Sequence, residues 1–245
     1  MKRVFLGLVC AVGLTQLAQL EARAQIFPLR KPEPAAAPQI PWEDLNEKAL
    51  AISKQLAEKP TVTARGPSET FACSPEQYQW LLDNPDRAVT AWRRLGAKCV
   101  SIQRRGQGKF GYVDELGSDV TWEAIHQAAG VRIWYAEGKV KASPVLPLVP
   151  VKALVVLRHA DSKLGDGNVY VQHQTEILIH TDSKAAASVT KLMGQSAPKV
   201  AEQGLAQLQL FFSAMACYVD RHPDQIETLF RPENVQPPVV NPMKK

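Results

Sequence analysis

The order of secondary-structure signals is the feature that most constrains the fold of this chain. One strand-like segment, residues 61–72, is followed by two short helix signals, six further strand-like segments and a long helix. The two short helices begin at Ser74-Pro75 and Asn84-Pro85, where a capping residue precedes a proline suited to the first helical turn. Because the six later strands follow one another at short spacing, this order predicts an α+β domain with an antiparallel sheet.

The remaining elements are read from periodicity. The six later strands are predicted over residues 98–105, 108–116, 120–127, 131–143, 151–162 and 168–181. Residues 183–193 and 198–221 predict a helix interrupted before Pro198, and the longer piece carries apolar residues at spacings of three and four. Those residues are Leu205, Leu208, Phe212, Met215 and Val219. An extra amphipathic helix is predicted over residues 42–59, packed on the domain of residues 60–230.

The N-terminus predicts export. Lys2 and Arg3 precede an uncharged apolar run, and Ala22-Arg23-Ala24 fits a small-x-small cleavage site, so residues 1–24 are interpreted as a secretory signal. The apolar run is too short to favour a membrane span, although an uncleaved anchor stays the alternative. We therefore expect a periplasmic or secreted protein. Proline-bearing segments, residues 25–41 and 231–245, are interpreted as an extended linker and a disordered tail.

Charge argues against a nucleic-acid partner. Loss of the signal removes three basic residues and one acidic residue, so the formal charge falls from +5 to +3. The basic residues Arg93, Arg94, Arg104, Arg105 and Lys109 lack the interleaved aromatics of a nucleic-acid surface. They predict a solvated face or a weak peripheral attraction to anionic lipid headgroups. No metal motif appears among the five histidines, and no cofactor is expected.

Two strands place histidines on an apolar face. Over residues 151–162 and 168–181 the odd positions are mainly apolar and include His159 and His173, so this face is predicted to point inward. A tight turn would make His159 and His173 diagonal neighbours. They are hypothesised to be handles for a ligand headgroup or a general acid/base pair; hydrogen-bonded core histidines are the alternative.

The whole order resembles the START-like (steroidogenic-acute-regulatory-related lipid transfer, polyketide cyclase) helix-grip superfamily. The resemblance covers about residues 61–221 and implies a curved seven-stranded antiparallel sheet wrapped around the C-terminal helix, with an apolar cavity between them. The implied cavity candidates are His159, His173, Tyr135, Leu157, Leu208, Phe212 and Met215. It also implies that the first two strands pair, which would bring Cys73 to Cys99 for a disulfide; two reduced thiols are the alternative.

A binding module is the first functional hypothesis: an exported protein that holds a lipid or other hydrophobic small molecule. A cyclase- or hydrolase-like enzyme is weaker, because no catalytic constellation is visible in the sequence. A structural or interaction domain of the cell envelope, poor in cavities, is the third.

Overall fold

The computed structural model describes residues 40–141, 144, 147–163, 168–181 and 197–231. Within them the chain is α+β, as expected. The helices are α1 (Glu47–Glu58), α2 (Pro75–Asp83), α3 (Pro85–Arg94), α4 (Ala197–Arg221) and α5 (Ile226–Leu229), with short 3-10 turns at Trp42–Asp44 and Pro223–Gln225. The strands are β1 (Val62–Arg65), β2 (Glu69–Ala72), β3 (Gln103–Gly106), β4 (Lys109–Val113), β5 (Asp119–Ala128), β6 (Val131–Val140), β7 (Val149–Lys163) and β8 (Val169–His180).

The strands form one antiparallel sheet of eight, in the order β1-β8-β7-β6-β5-β4-β3, and β2 also pairs with β8. Consecutive strands from β3 to β8 are neighbours, as their short connections require. Strands β1 and β2 therefore lie at one edge and β3 at the other. A single long helix at the C-terminus completes an arrangement that is consistent with a helix-grip fold.

The first strand is split, which gives eight strands where seven were predicted. β1 pairs with residues 176–179 of β8, and β2 pairs with residues 170–173. The three residues between β1 and β2, 66–68, therefore lie opposite only two residues of β8, 174 and 175. The interruption falls at Gly66-Pro67-Ser68, where proline has no N–H to donate to a ladder. Gly66 N still donates to Thr175 O at 2.8 Å, which keeps both halves on β8.

Capping side chains fix the starts of α1 and α2, whereas Asn84 before α3 makes no capping hydrogen bond. Ser74 Oγ accepts a hydrogen bond from Gln77 N at 3.1 Å, so α2 starts where the sequence predicted. Asn46 Oδ1 accepts from Ala49 N at 2.9 Å, and α1 consequently begins five residues later than predicted. The preceding residues form the separate 3-10 turn.

The two faces of the sheet are covered by different helices. Strand residues such as Leu154, Val156 and Leu178 point to α1 and form a core with Leu56. We name this side the α1 face. The opposite side, the α4 face, carries Leu157 and Val171, which pack with α2 and α4. The predicted packing of the N-terminal helix on the domain is therefore confirmed, and it explains why even positions of β7 are apolar too.

The predicted Cys73–Cys99 disulfide is wrong for this structure, in which both cysteines are reduced. Cys73 follows β2 at one edge of the sheet, whereas Cys99 precedes β3 at the opposite edge. β2 pairs with β8 and not with β3, so the pairing on which the disulfide depended does not occur. The Cys73 thiol instead lies 3.2 Å from Ser74 O, and burial raises its pKa to about 12.

Several predictions lie outside the described residues: the secretory signal, most of the linker, the helix over residues 183–193 and the tail after residue 231. Within the described ranges no helix is both long and apolar enough to cross a membrane.

Candidate functional site

The two inward histidines lie on the α4 face of the β7–β8 hairpin, as predicted. Their relation differs, because His159 and His173 are directly opposite each other rather than diagonal. The last pair of the hairpin is Lys163 with Val169, one residue further along each strand than the predicted Ser162–Asn168 pair, so the partner of His159 moves by two residues and the face stays unchanged. His173 is buried, whereas His159 is half-buried.

His173 is the centre of a hydrogen-bonded chain. Its Nδ1 lies 2.6 Å from Tyr78 Oη on α2, and its Nε2 lies 3.3 Å from Glu69 Oε2 on β2. Tyr78 and His173 are each 1% exposed. The hydrogen-bonded chain therefore joins β8 to β2 and α2, which lie about a hundred residues earlier in the sequence, and its inner part is removed from water.

Aromatic packing fixes the rings of this chain. The Phe71 ring meets Tyr78 edge-on at 5.6 Å between centroids and His173 at 5.0 Å. The ring of His159 lies 5.5 Å from that of Tyr78. Edge-to-face contacts of this kind add stabilisation beyond the buried area, so the donor and acceptor atoms of the chain are held in one geometry.

Burial and one buried cation set the protonation of the site. Burial raises the pKa of Tyr78 above its ordinary value, although the positive charge of Arg132 opposes the rise, so the phenol is protonated at neutral pH. Burial, followed by the charge of Arg132, lowers the pKa of His159. His159 is consequently a neutral base at neutral pH.

Arg132 is a charged residue in the interior. It is 2% exposed and pairs through Nη2 with Asp83 Oδ1 at 2.6 Å, while Asp83 is 47% exposed. The guanidinium carbon also lies 5.6 Å from the centroid of Trp134. The ion pair thus offsets the cost of burying the charge, and the half-exposed carboxylate keeps contact with water.

A pocket of about 270 Å³ lies beside this chain. Residues of α2 and of the β7–β8 hairpin line it: Pro75, Glu76, Tyr78, Gln79, His159, Asp161 and Val171. We name it the α2 pocket. His159 and Tyr78 are both among its lining residues, although Tyr78 is only 1% exposed.

Elsewhere on the α4 face, apolar residues stay half-buried. They come from four neighbouring strands and from α4: Trp122, Trp134, Val155, Ile177, Phe211 and Phe212. Cross-strand register places Trp122, Trp134 and Val155 near the middle of this face, because Trp134 pairs with Val155. We name this surface the apolar groove. It is on the side of the sheet where the resemblance placed a cavity.

The predicted stripe of α4 is confirmed at Leu205, Met215 and Val219, which are buried, and is wrong at one position. Met215 is buried and Phe212 half-buried, but Leu208 is 41% exposed, so its assignment to the core is wrong. The polar residue Gln209 is buried in its place and donates through Nε2 to Pro67 O at 2.7 Å. The pattern of apolar residues could not predict that this glutamine is buried, because its side chain is polar and its partner, Pro67, lies between β1 and β2.

A second pocket, of about 370 Å³, lies between β2 and the outer side of α4. Its lining includes Phe71 and Cys217 together with Leu210, which is 60% exposed. Cys217 is reduced, and burial raises its pKa.

Tyr135 does not join the other candidates. It lies on the α1 face opposite Leu154, and its Oη donates to Glu137 Oε2 at 2.7 Å. Its neighbour Trp134 occupies the α4 face instead, because successive residues of a strand point to opposite sides. Leu157, by contrast, is buried on the α4 face as expected.

The basic residues are tied to acidic and carbonyl oxygens. Arg104 Nε donates to Asp86 Oδ2 at 2.9 Å, and Arg105 pairs with Asp119. Arg94 donates to three backbone carbonyls within residues 228–231, among them Leu229 O at 2.5 Å. Three of the five basic residues, Arg104, Arg105 and Lys109, therefore have an acidic partner within the domain. In the described ranges no group of His, Cys, Asp and Glu has the arrangement of a metal site.

Glu69, Tyr78 and Arg132 are the site residues that sequence reasoning missed. Glu69 and Phe71 are two residues apart on β2 and therefore face the same side of the sheet, but nothing in the sequence links Glu69 to His173. Tyr78 carries only the signal of a helix face. Their roles follow from contacts across 95 and 104 residues of chain.

No protein-family model matches this chain, and no curated protein matches it. Among solved structures, a conserved protein from Geobacillus kaustophilus is similar at 14% identity and a TM-score of 0.43, over 64% of this chain and 96% of that one. A hypothetical protein from Helicobacter pylori is similar at 13% identity and a TM-score of 0.37, over 63% of this chain and 86% of that one. Truncated norcoclaurine synthase from Thalictrum flavum is similar at 12% identity and a TM-score of 0.32, over 60% of this chain and 92% of that one. At TM-scores below 0.5 these likenesses support no conclusion on ligand or activity.

Proposed function

We propose that this chain is an exported START-like protein that binds a lipid or other hydrophobic small molecule in the apolar groove, between its sheet and α4. Export is inferred from the signal-like residues 1–24. The ligand class is inferred from the apolar groove between the sheet and α4.

The observation that carries the proposal is the contrast between adjacent residues of the same strands. Ile133, Leu154 and Val156 are at most 1% exposed on the α1 face. Their neighbours Trp134 and Val155, on the α4 face, stay half-buried. Apolar side chains left partly open on one face of a folded domain favour a binding site there. A hydrophobic ligand would remove it from water.

Native mass spectrometry tests the ligand class. The mature protein, purified from its own host, is expected to carry an adduct of lipid-like mass, and its N-terminus is expected at Gln25. A clean apo mass would contradict binding and favour the structural or interaction domain. Recovery of the intact N-terminus from the cytoplasmic fraction would contradict export.

A matched pair of variants localises the ligand to the groove. Val155→Asn places an amide in the middle of the groove and is expected to weaken binding of a fluorescent fatty acid about 5- to 150-fold, since a buried polar group without a partner costs about 1–3 kcal/mol. Val113→Asn is the control, because Val113 is 54% exposed at the far edge of the sheet. Equal affinities of the two variants would place the ligand elsewhere.

One observation favours an enzyme as the second candidate. The chain Glu69–His173–Tyr78 has the order carboxylate, imidazole, hydroxyl, in which a base is oriented by an acid group. A cyclase- or hydrolase-like activity would be lost in His173→Asn while groove binding of the fatty acid is kept. Turnover that survives this substitution would exclude the hydrogen-bonded chain Glu69–His173–Tyr78 as the catalytic machinery.

A further inference from the structure

Two of the three described cysteines lie on neighbouring elements of the α4 face. Cys73 directly follows β2, and Cys217 lies in the last two turns of α4. Cys73 is buried in the core of this face, and Cys217 packs against the same core. Cys217 also lines the second pocket together with Phe71 of β2. The fold therefore brings two thiols that are far apart in sequence into one region.

The outer edge of β2 positions the Cys217 thiol. Cys73 N donates to Val169 O of β8 at 3.2 Å, so in an antiparallel ladder the backbone N–H of the preceding residue, Ala72, points away from β8. Burial raises the pKa of Cys217, and a hydrogen bond from the backbone of Ala72 is one of the contacts that oppose this rise. The Cys217 thiol consequently contacts the residue next to Cys73.

The two thiols also interact electrostatically. Burial is the main cause that raises the pKa of Cys73 to about 12, and the charges of Asp220 and then Cys217 add to the rise. Cys99, by contrast, lies near the opposite edge of the sheet. Cys217 is therefore the cysteine that the fold places beside Cys73.

We propose that Cys73 and Cys217 form a disulfide bond, which joins the end of β2 to α4 when the protein meets a disulfide-bearing oxidant. Disulfides form and persist in oxidising compartments outside the cytosol. The natural oxidant therefore rests on the export stated in the proposed function, whereas the pairing of the two cysteines rests on the fold alone. Cys99 is left as a free thiol.

The different exposure of the two thiols sets the order of the reaction. Cys217 is half-buried and lines a pocket whose wall includes the exposed Leu210, whereas Cys73 is 1% exposed. The Cys217 thiolate attacks one sulfur of the oxidant and breaks its S–S bond, and the other sulfur leaves as a thiolate. Cys73 then loses its proton, attacks Cys217 Sγ and displaces the second thiolate. The protein thus gives up two protons and two electrons, and the oxidant is reduced to two thiols.

Peptide mapping of the purified protein tests the pairing. The reduced protein is incubated with glutathione disulfide, then unfolded, alkylated with iodoacetamide and digested. We expect Cys99 to be alkylated and a linked peptide pair to contain Cys73 and Cys217, which reduction separates. Alkylation of all three, a bond to Cys99, or glutathione retained on Cys217 would overturn the proposal. A bond that forms in this assay but is missing from protein trapped by alkylation in its host would count against export and not against the pairing.

A matched pair of variants tests the effect of the bond on the fold. Oxidation should raise the urea midpoint of the wild type and of the control Cys99→Ser, because a cross-link restricts the unfolded chain. Cys217→Ser removes one partner and should show the same midpoint before and after oxidation. A midpoint that falls when the wild type is oxidised would mean that the native geometry does not accommodate the bond, and would contradict the proposal.

Discussion

The two faces of the sheet are built from the same strands but differ in what they bury. The α1 face buries aliphatic side chains only a few per cent exposed, such as Leu154 and Leu178, against one amphipathic helix. The α4 face buries Arg132, His173 and Gln209 and leaves tryptophans half-buried. Close packing of apolar groups stabilises a fold, whereas buried polar groups with few partners cost free energy. We therefore expect the stability of the fold to depend mainly on the α1 face, whereas the proposed ligand binding uses the α4 face.

The largest expected effect is on the α1 face. Leu154→Ala removes a side chain that is 0% exposed and should lower the free energy of unfolding by about 2–5 kcal/mol. Its neighbour on the other face, Val155→Ala, should cost only about 1 kcal/mol, because Val155 is already half-buried in the native state. Urea denaturation of both variants measures the difference. Equal losses would remove the contrast between the faces.

The second prediction concerns the buried cation of the α4 face. Asp83→Asn leaves Arg132 buried without its charge partner and should cost about 3 kcal/mol. Arg132→Met should cost less, about 1 kcal/mol, because the half-exposed Asp83 is then hydrated and Met still covers Trp134. Urea denaturation of the two single variants and the double variant gives the coupling energy. A larger loss for Arg132→Met would contradict this asymmetry.

A smaller effect is expected at the break between β1 and β2. A Cβ added to Gly66 would lie 1.8 Å from Gln209 Oε1, so Gly66→Ala forces the glutamine to move and should cost about 1–2 kcal/mol. The same change made in Gln209→Ala should cost less, since the obstructing amide is gone. Thermal unfolding of the four proteins measures this. Additive losses would mean that Gln209 does not fill the space beside Gly66.

The smallest effect is a pH dependence from His159. Burial and Arg132 lower its pKa below the ordinary 6.5, so the unfolded chain takes up its proton at a higher pH than the native one. The stability that the neutral His159 contributes is present above pH 6.5 and is lost as pH falls through the native pKa. His159→Gln should flatten that part of the loss between pH 7 and 5, measured by urea denaturation at each pH. An unchanged slope in the variant would show that His159 titrates alike in both states.

Local rules predicted much of the fold. Ser74 and the following proline fixed the start of α2, and the alternation in β7 and β8 put His159 and His173 on one face. These predictions succeeded because caps and strand periodicity act within a few residues. The split of the first strand was missed, although Pro67 carried a signal for it.

Long-range placement required the tertiary structure. Tyr135 lies on the opposite face from the site, Leu208 is exposed because Gln209 binds Pro67, and Cys73 and Cys99 lie near opposite edges of the sheet. Each of these depends on strand order or helix rotation, which no local pattern encodes.

The sequence by itself determined the element types, their order and the inward face of the β7–β8 hairpin, since these follow from short-range periodicity and capping. Only the tertiary structure decided that Glu69, His173 and Tyr78 form one hydrogen-bonded chain. The reason is physical: β2 and α2 lie about a hundred residues before β8, so the three side chains meet only when the sheet has closed its register and α2 has packed on it.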